Sequence, residues 1–261
     1  MRFTNQLEAI LYTPAQQGSG EFDNGKITEI KPIDFPGGTS QAKRIGPLFY
    51  WAWASANGDG VIGMHPHRAF EIMSYVIKGE IGHTDSLGNR SRVGEGGAQV
   101  MQTGSGVMHQ EEMYGERTEF FQIWFEPNLQ QSVKKQPTYN EFRHGDFPVV
   151  EQNGVTVKTL LGEESLIILD AQVKMEDVIV QPGSRFQREL FPGNSLAVVT
   201  VSGSGKWFND ENDSEIAISK EDFTVFNAAA DAVISVENSG NDELRQAMIE
   251  IPQRVDYPLY G

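Results

Sequence analysis

Short apolar runs recur along the whole chain, separated by breaks that carry glycine or proline. Ser74-Tyr75-Val76-Ile77, Phe120-Phe121-Gln122-Ile123-Trp124-Phe125 and Ser195-Leu196-Ala197-Val198-Val199-Thr200-Val201 are typical. Their length and their content of Val, Ile, Phe and Tyr predict strands, many and short, as in sandwiches and barrels. No stretch of a dozen residues keeps a 3.6-residue period, so helices are expected to be few and short. The expected fold is all-β, with one helical turn near Leu129 to Lys135. Asp85-Ser86-Leu87-Gly88-Asn89, between a strand ending near His83 and another starting near Arg92, has the composition of a hairpin loop. Asn209-Asp210-Glu211-Asn212-Asp213 is the corresponding loop in the second half.

The two halves resemble each other faintly. Tyr75-Val76-Ile77-Lys78-Gly79 and Val199-Thr200-Val201-Ser202-Gly203 each lead into one of those hairpins, offset by 203 − 79 = 124 residues. An apolar strand follows in both, Gln99-Val100-Met101 in one and Phe223-Thr224-Val225-Phe226 in the other. Between them, residues 127–148 turn polar and contain three prolines, Pro127, Pro137 and Pro148. The expected organisation is a barrel over residues 1–133, a linker over 134–150 and a second barrel over 151–261.

Composition narrows the chemistry. The 261 residues carry 21 Lys and Arg against 36 Asp and Glu, a net charge of −15. So acidic a surface repels phosphate backbones and anionic membranes, and argues against direct nucleic-acid binding. With no cysteine, disulfides, thiolate zinc sites, iron–sulfur clusters and thiol catalysis are excluded. The first residues contain no unbroken apolar core of a signal peptide, and nowhere do 18 apolar residues run together. A soluble, cytoplasmic protein is expected.

All five histidines, His65, His67, His83, His109 and His144, lie in the first 144 residues. In Met64-His65-Pro66-His67 two imidazoles stand at i and i+2. On a strand they share a face roughly 7 Å apart along the axis, close enough to converge on one ion. Pro66 between them removes a ladder donor and favours an edge or bulged position. After 109 − 67 = 42 residues comes His109-Gln110-Glu111-Glu112, a third imidazole with a carboxylate again at i+2. Neutral imidazoles with one carboxylate suit Fe(II), Mn(II), Ni(II) or Cu(II), and less selectively Zn(II). On strand parity alone Glu71 competes with Glu111 as the acid ligand, and Glu112 points to the other face. His83 is expected to be structural and His144 to lie in a loop. Met64, Met73 and Phe70 offer an apolar wall for a planar aromatic ligand, although methionines around a motif are more often core filling.

These motifs, taken in order, resemble the pirin family. The run His65-Pro66-His67-Arg68 is followed by His83-Thr84-Asp85-Ser86-Leu87-Gly88-Asn89, then by Thr103-Gly104-Ser105-Gly106-Val107-Met108-His109-Gln110-Glu111. The similarity is specific over about residues 58–126 and looser beyond. It implies two cupin-type jelly-roll barrels, with one mononuclear metal, usually iron, in the first and none in the second. Carried onto this chain, the ligands are His65, His67, His109 and Glu111, which decides the acid in favour of Glu111. Departures fall at Glu95-Gly96-Gly97, Val100 and Ser105, and the tail ending at Tyr257-Pro258-Leu259-Tyr260-Gly261 matches a short bacterial type.

The resemblance further implies a dioxygenase that cleaves quercetin or a related flavonol with O₂, with Glu111 as catalytic base. A ligating glutamate can serve as a base only if it is loosely held. The alternative is an iron- or redox-sensing binding protein that regulates a protein partner, for which the net charge would suit a basic one.

Overall fold

The computed structural model describes residues 6–209 and 214–260. Ten strands precede residue 147: β1 (Leu7–Tyr12), β2 (Gly18–Phe22), β3 (Ile27–Ile33), β4 (Leu48–Asn57), β5 (Gly60–His67), β6 (Glu71–Asp85), β7 (Arg90–Gly94), β8 (Ala98–Gln102), β9 (Val107–Phe125) and β10 (Thr138–Phe142). Ten more follow: β11 (Val149–Gln152), β12 (Val155–Leu161), β13 (Lys174–Val180), β14 (Arg185–Leu190), β15 (Asn194–Ser202), β16 (Ser204–Asn209), β17 (Ser214–Ser219), β18 (Phe223–Ala228), β19 (Ala232–Glu237) and β20 (Leu244–Pro252). The all-β class stands. The α-helix α1 (Leu129–Ser132) forms where a helical turn was expected.

Two compact units result. The first comprises residues 16–146 with 169–171 and the tail from 255, and the second takes the rest. Two features depart from the sequence reading. β1 lies inside the stretch assigned to the leading barrel but pairs with β18, because its inward positions Leu7 and Ala9 complete the second unit's core. The polar 134–150 segment also carries two strands, β10 on β8 and β11 on β12, with the division between units at residue 147. Polar composition there marks exposed edge strands: all four residues of β11 are exposed.

In the first unit the antiparallel order is β10-β8-β6-β9-β4-β3-β2, with β7 added on β6 and β5 on β9. β6 and β9 are too long to stay flat, and both bend. The β6–β9 register slips between Val76 and Glu80, and Gly79 and Gly115 sit there at φ +79° and +90°. A side chain at residue 79 would meet the Arg117 carbonyl at 2.6 Å, so the bend requires glycine. A core of Ile27, Ala54, Ala56, Val76, Ile81, Val93, Met113 and Phe120 fills the fold so made.

The second unit is a two-sheet sandwich, β1-β18-β15-β20-β13-β12-β11 against β14-β19-β16-β17. Leu196, Val198, Trp207, Phe226, Ile234 and Met248 are among the residues that pack between its sheets. Gly203 stands where β15 passes into β16, at φ +78°, and a Cβ there would meet the Glu243 carbonyl at 2.5 Å. Gly79 and Gly203 thus do the same steric job, 124 residues apart, which gives the faint internal repeat a physical basis. β16 and β17 pair as a hairpin, while residues 210–213 of its loop lie outside the described residues.

Candidate metal centre

β5 and β9 are antiparallel neighbours whose register sets His65 opposite His109, with Pro66 opposite Met108. Among the described residues β5 pairs only with β9, and Met108, opposite Pro66, turns its N–H and carbonyl to Ser86, so Pro66 withholds no ladder bond. The register slips between Ile62 and His65, the bulge that the proline suggested. Three imidazoles converge as a result. Ring centroids lie 4.8 Å apart for His65–His67, 4.4 Å for His65–His109 and 4.9 Å for His67–His109. One ring nitrogen from each falls within 4.8 Å of the others, so the trio could hold a metal ion.

The donor chemistry fits a cation. His65 Nδ1 donates to the Gly63 carbonyl at 2.8 Å, which leaves Nε2 as a lone-pair donor. The buried nitrogens His67 Nε2, His109 Nδ1 and His109 Nε2 have no protein hydrogen-bond partner. Buried polar atoms are rarely left so without a role. Burial, reinforced by the neighbouring imidazoles His109 and His65, pushes His67 down to about 3, against an opposing pull from Glu111. His109 is likewise held near 3 by burial and then by His65 and His83, with Asp85 opposing. Both rings are therefore neutral, the state a metal requires, without having to shed protons at neutral pH.

Glu111 is buried at 2 % exposure, and its carboxylate is already engaged. Gln122 Nε2 donates to both its oxygens at 2.7 Å, and Ser74 Oγ approaches Oε1 at 3.4 Å. Its oxygens lie outside the three-imidazole cluster. Glu71 is not near it in role. Its carboxylate accepts from Gln102 Nε2 at 2.6 Å and from the backbone N–H groups of Asp170 and Ala171 at 2.6 and 2.9 Å. Strand parity had made Glu71 a rival because it assumed one continuous strand. In fact β5 ends at His67 and β6 begins at Glu71, and Ala69 between them adopts φ +76°. That left-handed residue resets which way the following side chains face. Glu112, expected on the other face of the strand, is half-buried and accepts from Tyr114 and Gln110.

His83 lies beside the trio, 5.4 Å from the His109 ring, and stacks on Tyr139 at 4.0 Å. Its Nε2 donates to Asp85 Oδ2 at 3.0 Å. The other Asp85 oxygen accepts from the N–H groups of Leu87 and Asn89. Burial favours the neutral acid, yet the donors from Asn89, His83 and Leu87 outweigh it and hold the Asp85 carboxyl below its ordinary value. Ser86 completes the motif: its hydroxyl accepts from Met108 N–H, and its own N–H donates to the Met108 carbonyl, next to His109. The Asp-Ser-x-Gly-Asn run therefore anchors the third histidine. His144 is exposed in a short 3₁₀ turn after β10.

An aromatic cluster adjoins the imidazoles. Met73 is fully buried, Met64 is exposed and Phe70 is half-buried. Phe35, Phe49, Tyr50, Phe70 and Trp124 pack ring on ring, and Trp124 meets His67 edge-on at 4.7 Å. Tyr50 donates to Glu29 at 3.3 Å, and burial with that carboxylate pushes its hydroxyl pKa up. Gln122, Ser74, Trp124 and Tyr50 carry no motif signal. They are found only once the strands fold over.

Among known proteins, the pirin family model matches residues 51–125. Pirin-like protein 2 from Arabidopsis thaliana is 33 % identical over 80 % of this chain and 66 % of its own length. A Pseudomonas aeruginosa protein named, as a provisional assignment, quercetin 2,3-dioxygenase is 34 % identical over 54 % of this chain and 60 % of its own. The chain thus spans no more than about two thirds of the length of these curated relatives. The crystal structure of the bacterial pirin YhhW from Escherichia coli in complex with nickel(II) superposes with a TM-score of 0.75 at 19 % identity, covering 94 % of this chain and 99 % of that one. No helix among the described residues is long and apolar enough to cross a membrane.

Proposed function

We propose that this chain, a member of the pirin family, is a metal-dependent dioxygenase acting on a flavonol such as quercetin. The observation that carries the reading is the convergence of His65, His67 and His109, two of them held neutral by burial, with buried ring nitrogens that no protein group satisfies. Fe(II) is the first ion to test, followed by Mn(II), Ni(II), Cu(II) and Zn(II). A related bacterial pirin takes nickel. When bound, such an ion would supply a Lewis-acidic centre, redox-active in the case of iron, manganese or copper, with sites left over for small ligands.

The chain's own residues would do the rest. His65, His67 and His109 are the proposed nitrogen ligands and Glu111 the proposed acid ligand. Glu111 is also the proposed base for a substrate hydroxyl, a role open to it only while it is not committed as a ligand. The rings of Trp124 and Phe70, stacked at 6.1 Å, present a flat apolar neighbour to His67 on which a planar substrate could lie. Oxygen consumption with quercetin, followed while iron is titrated into metal-free protein, tests the proposal. Uptake should rise with iron up to one equivalent and be absent in His109→Ala. Uptake no greater than in that variant overturns it.

A further inference from the structure

Glu111 and Gln122 lie eleven positions apart on β9, opposite His83 and Ser74 on β6. Along straight strands nine residues on β6 would hold them roughly 30 Å apart. Their side chains nevertheless meet at 2.7 Å, because both strands fold over at the Gly79 and Gly115 bend. The contact is thus a product of barrel closure, made from opposite walls.

Gln122 Nε2 stands 2.7 Å from both carboxylate oxygens, so it occupies the side of the carboxylate between them. The amide cannot be turned the other way. Trp124 Nε1, a donor only, reaches Gln122 Oε1 at 3.3 Å, and the carboxylate can only accept. Reversal would set oxygen against oxygen and N–H against N–H. Trp124 in turn stands edge-on to His67 at 4.7 Å. A continuous path, His67 to Trp124 to Gln122 to Glu111, therefore leads from the imidazole face to the acid.

We propose that Gln122 is a positioning residue that holds the Glu111 carboxylate in reserve, so that Glu111 joins a metal on His65, His67 and His109 only by surrendering one of its two contacts with that amide. The inference rests on the metal-site reading above. It explains how one acid serves two purposes. Held by Gln122 it is a free carboxylate beside the substrate, and released it is the fourth ligand. The amide and the ion compete for it.

Competition fixes the sign of the test. Losing the amide should strengthen metal binding, whereas loss of an ordinary supporting hydrogen bond weakens it. Co(II) is the probe, because its visible spectrum reports coordination number independently of turnover. Metal-free wild type, Gln122→Leu, Gln122→Asn, Glu111→Gln, the double variant Gln122→Leu/Glu111→Gln and His109→Ala would be titrated with Co(II), with circular dichroism confirming the fold of each. Gln122→Asn keeps the amide but withdraws it by one carbon, and it serves if the leucine variant does not fold. Gln122→Leu should bind Co(II) about tenfold more tightly, the strength of a hydrogen bond to a charged group. Its spectrum should move toward higher coordination. In the Glu111→Gln background the same substitution should change neither quantity. Weaker or unchanged binding in both Gln122 variants, or an effect that survives Glu111→Gln, overturns the role of Gln122. Failure of the metal-site reading looks different: wild type and His109→Ala would then bind Co(II) alike.

Discussion

Replacing His109 by leucine separates what the imidazole costs the fold from what it gives the site. His109 is 2 % exposed, and burial with neighbouring His65 and His83 lowers it from 6.5 to about 3. In the unfolded chain the same ring takes up a proton near pH 6.5. The unfolded state therefore binds the extra proton between pH 6.5 and 3, and stability is lost as pH falls through that window. By pH 5 the gap amounts to about 1.5 pH units at 1.36 kcal/mol each, or roughly 2 kcal/mol from this one side chain. Leucine fills a similar volume without a titrating group or buried nitrogens to leave unpaired. Urea unfolding of metal-free protein in EDTA, at pH 7.5 and pH 5, reads the difference. Wild type should lose about 2 kcal/mol more than His109→Leu over that interval, and the leucine variant should be at least as stable at pH 5. Parallel losses in the two proteins would show that His109 titrates normally in the folded state, and the neutral-imidazole reading would be wrong.

Other consequences are as direct. Asp85→Ala strands the N–H groups of Leu87 and Asn89 and the His83 ring, so equilibrium unfolding should show a loss of about 2–4 kcal/mol. Glu71→Gln should leave Co(II) affinity unchanged while loosening the 169–171 segment, seen as faster limited proteolysis there; a fall in affinity would instead make Glu71 a ligand. Gly79→Ala and Gly203→Ala should each cost about 2 kcal/mol or more, because each Cβ meets a carbonyl oxygen within 2.6 Å in a left-handed backbone. Either alanine unfolding like wild type would remove the shared-bend explanation of the repeat.

Local signals survived into the fold wherever chemistry and geometry were both short-range. His65 and His67 share a face because β-strands alternate, and His109 stands opposite because two motifs occupy paired strands. The loop from Asp85 to Asn89 forms because its aspartate accepts from its own turn. Long-range consequences were illegible. Nothing near Leu7 says that β1 will close the second unit's sheet, since an alternating strand fits either barrel. The left-handed Ala69, which breaks the parity linking His67 to Glu71, has no signature in an alanine. Gln122 is one polar residue in an apolar run, and its bond to Glu111 exists only after β6 and β9 fold over. Motifs identify candidate ligands, and closure of the barrel decides what holds them.

The most direct test is anaerobic calorimetric titration of metal-free protein with Fe(II), run beside His109→Ala. One equivalent should bind the native chain and be lost or greatly weakened in the variant. Equal binding by both, or none by either, would contradict a mononuclear centre built on His65, His67 and His109.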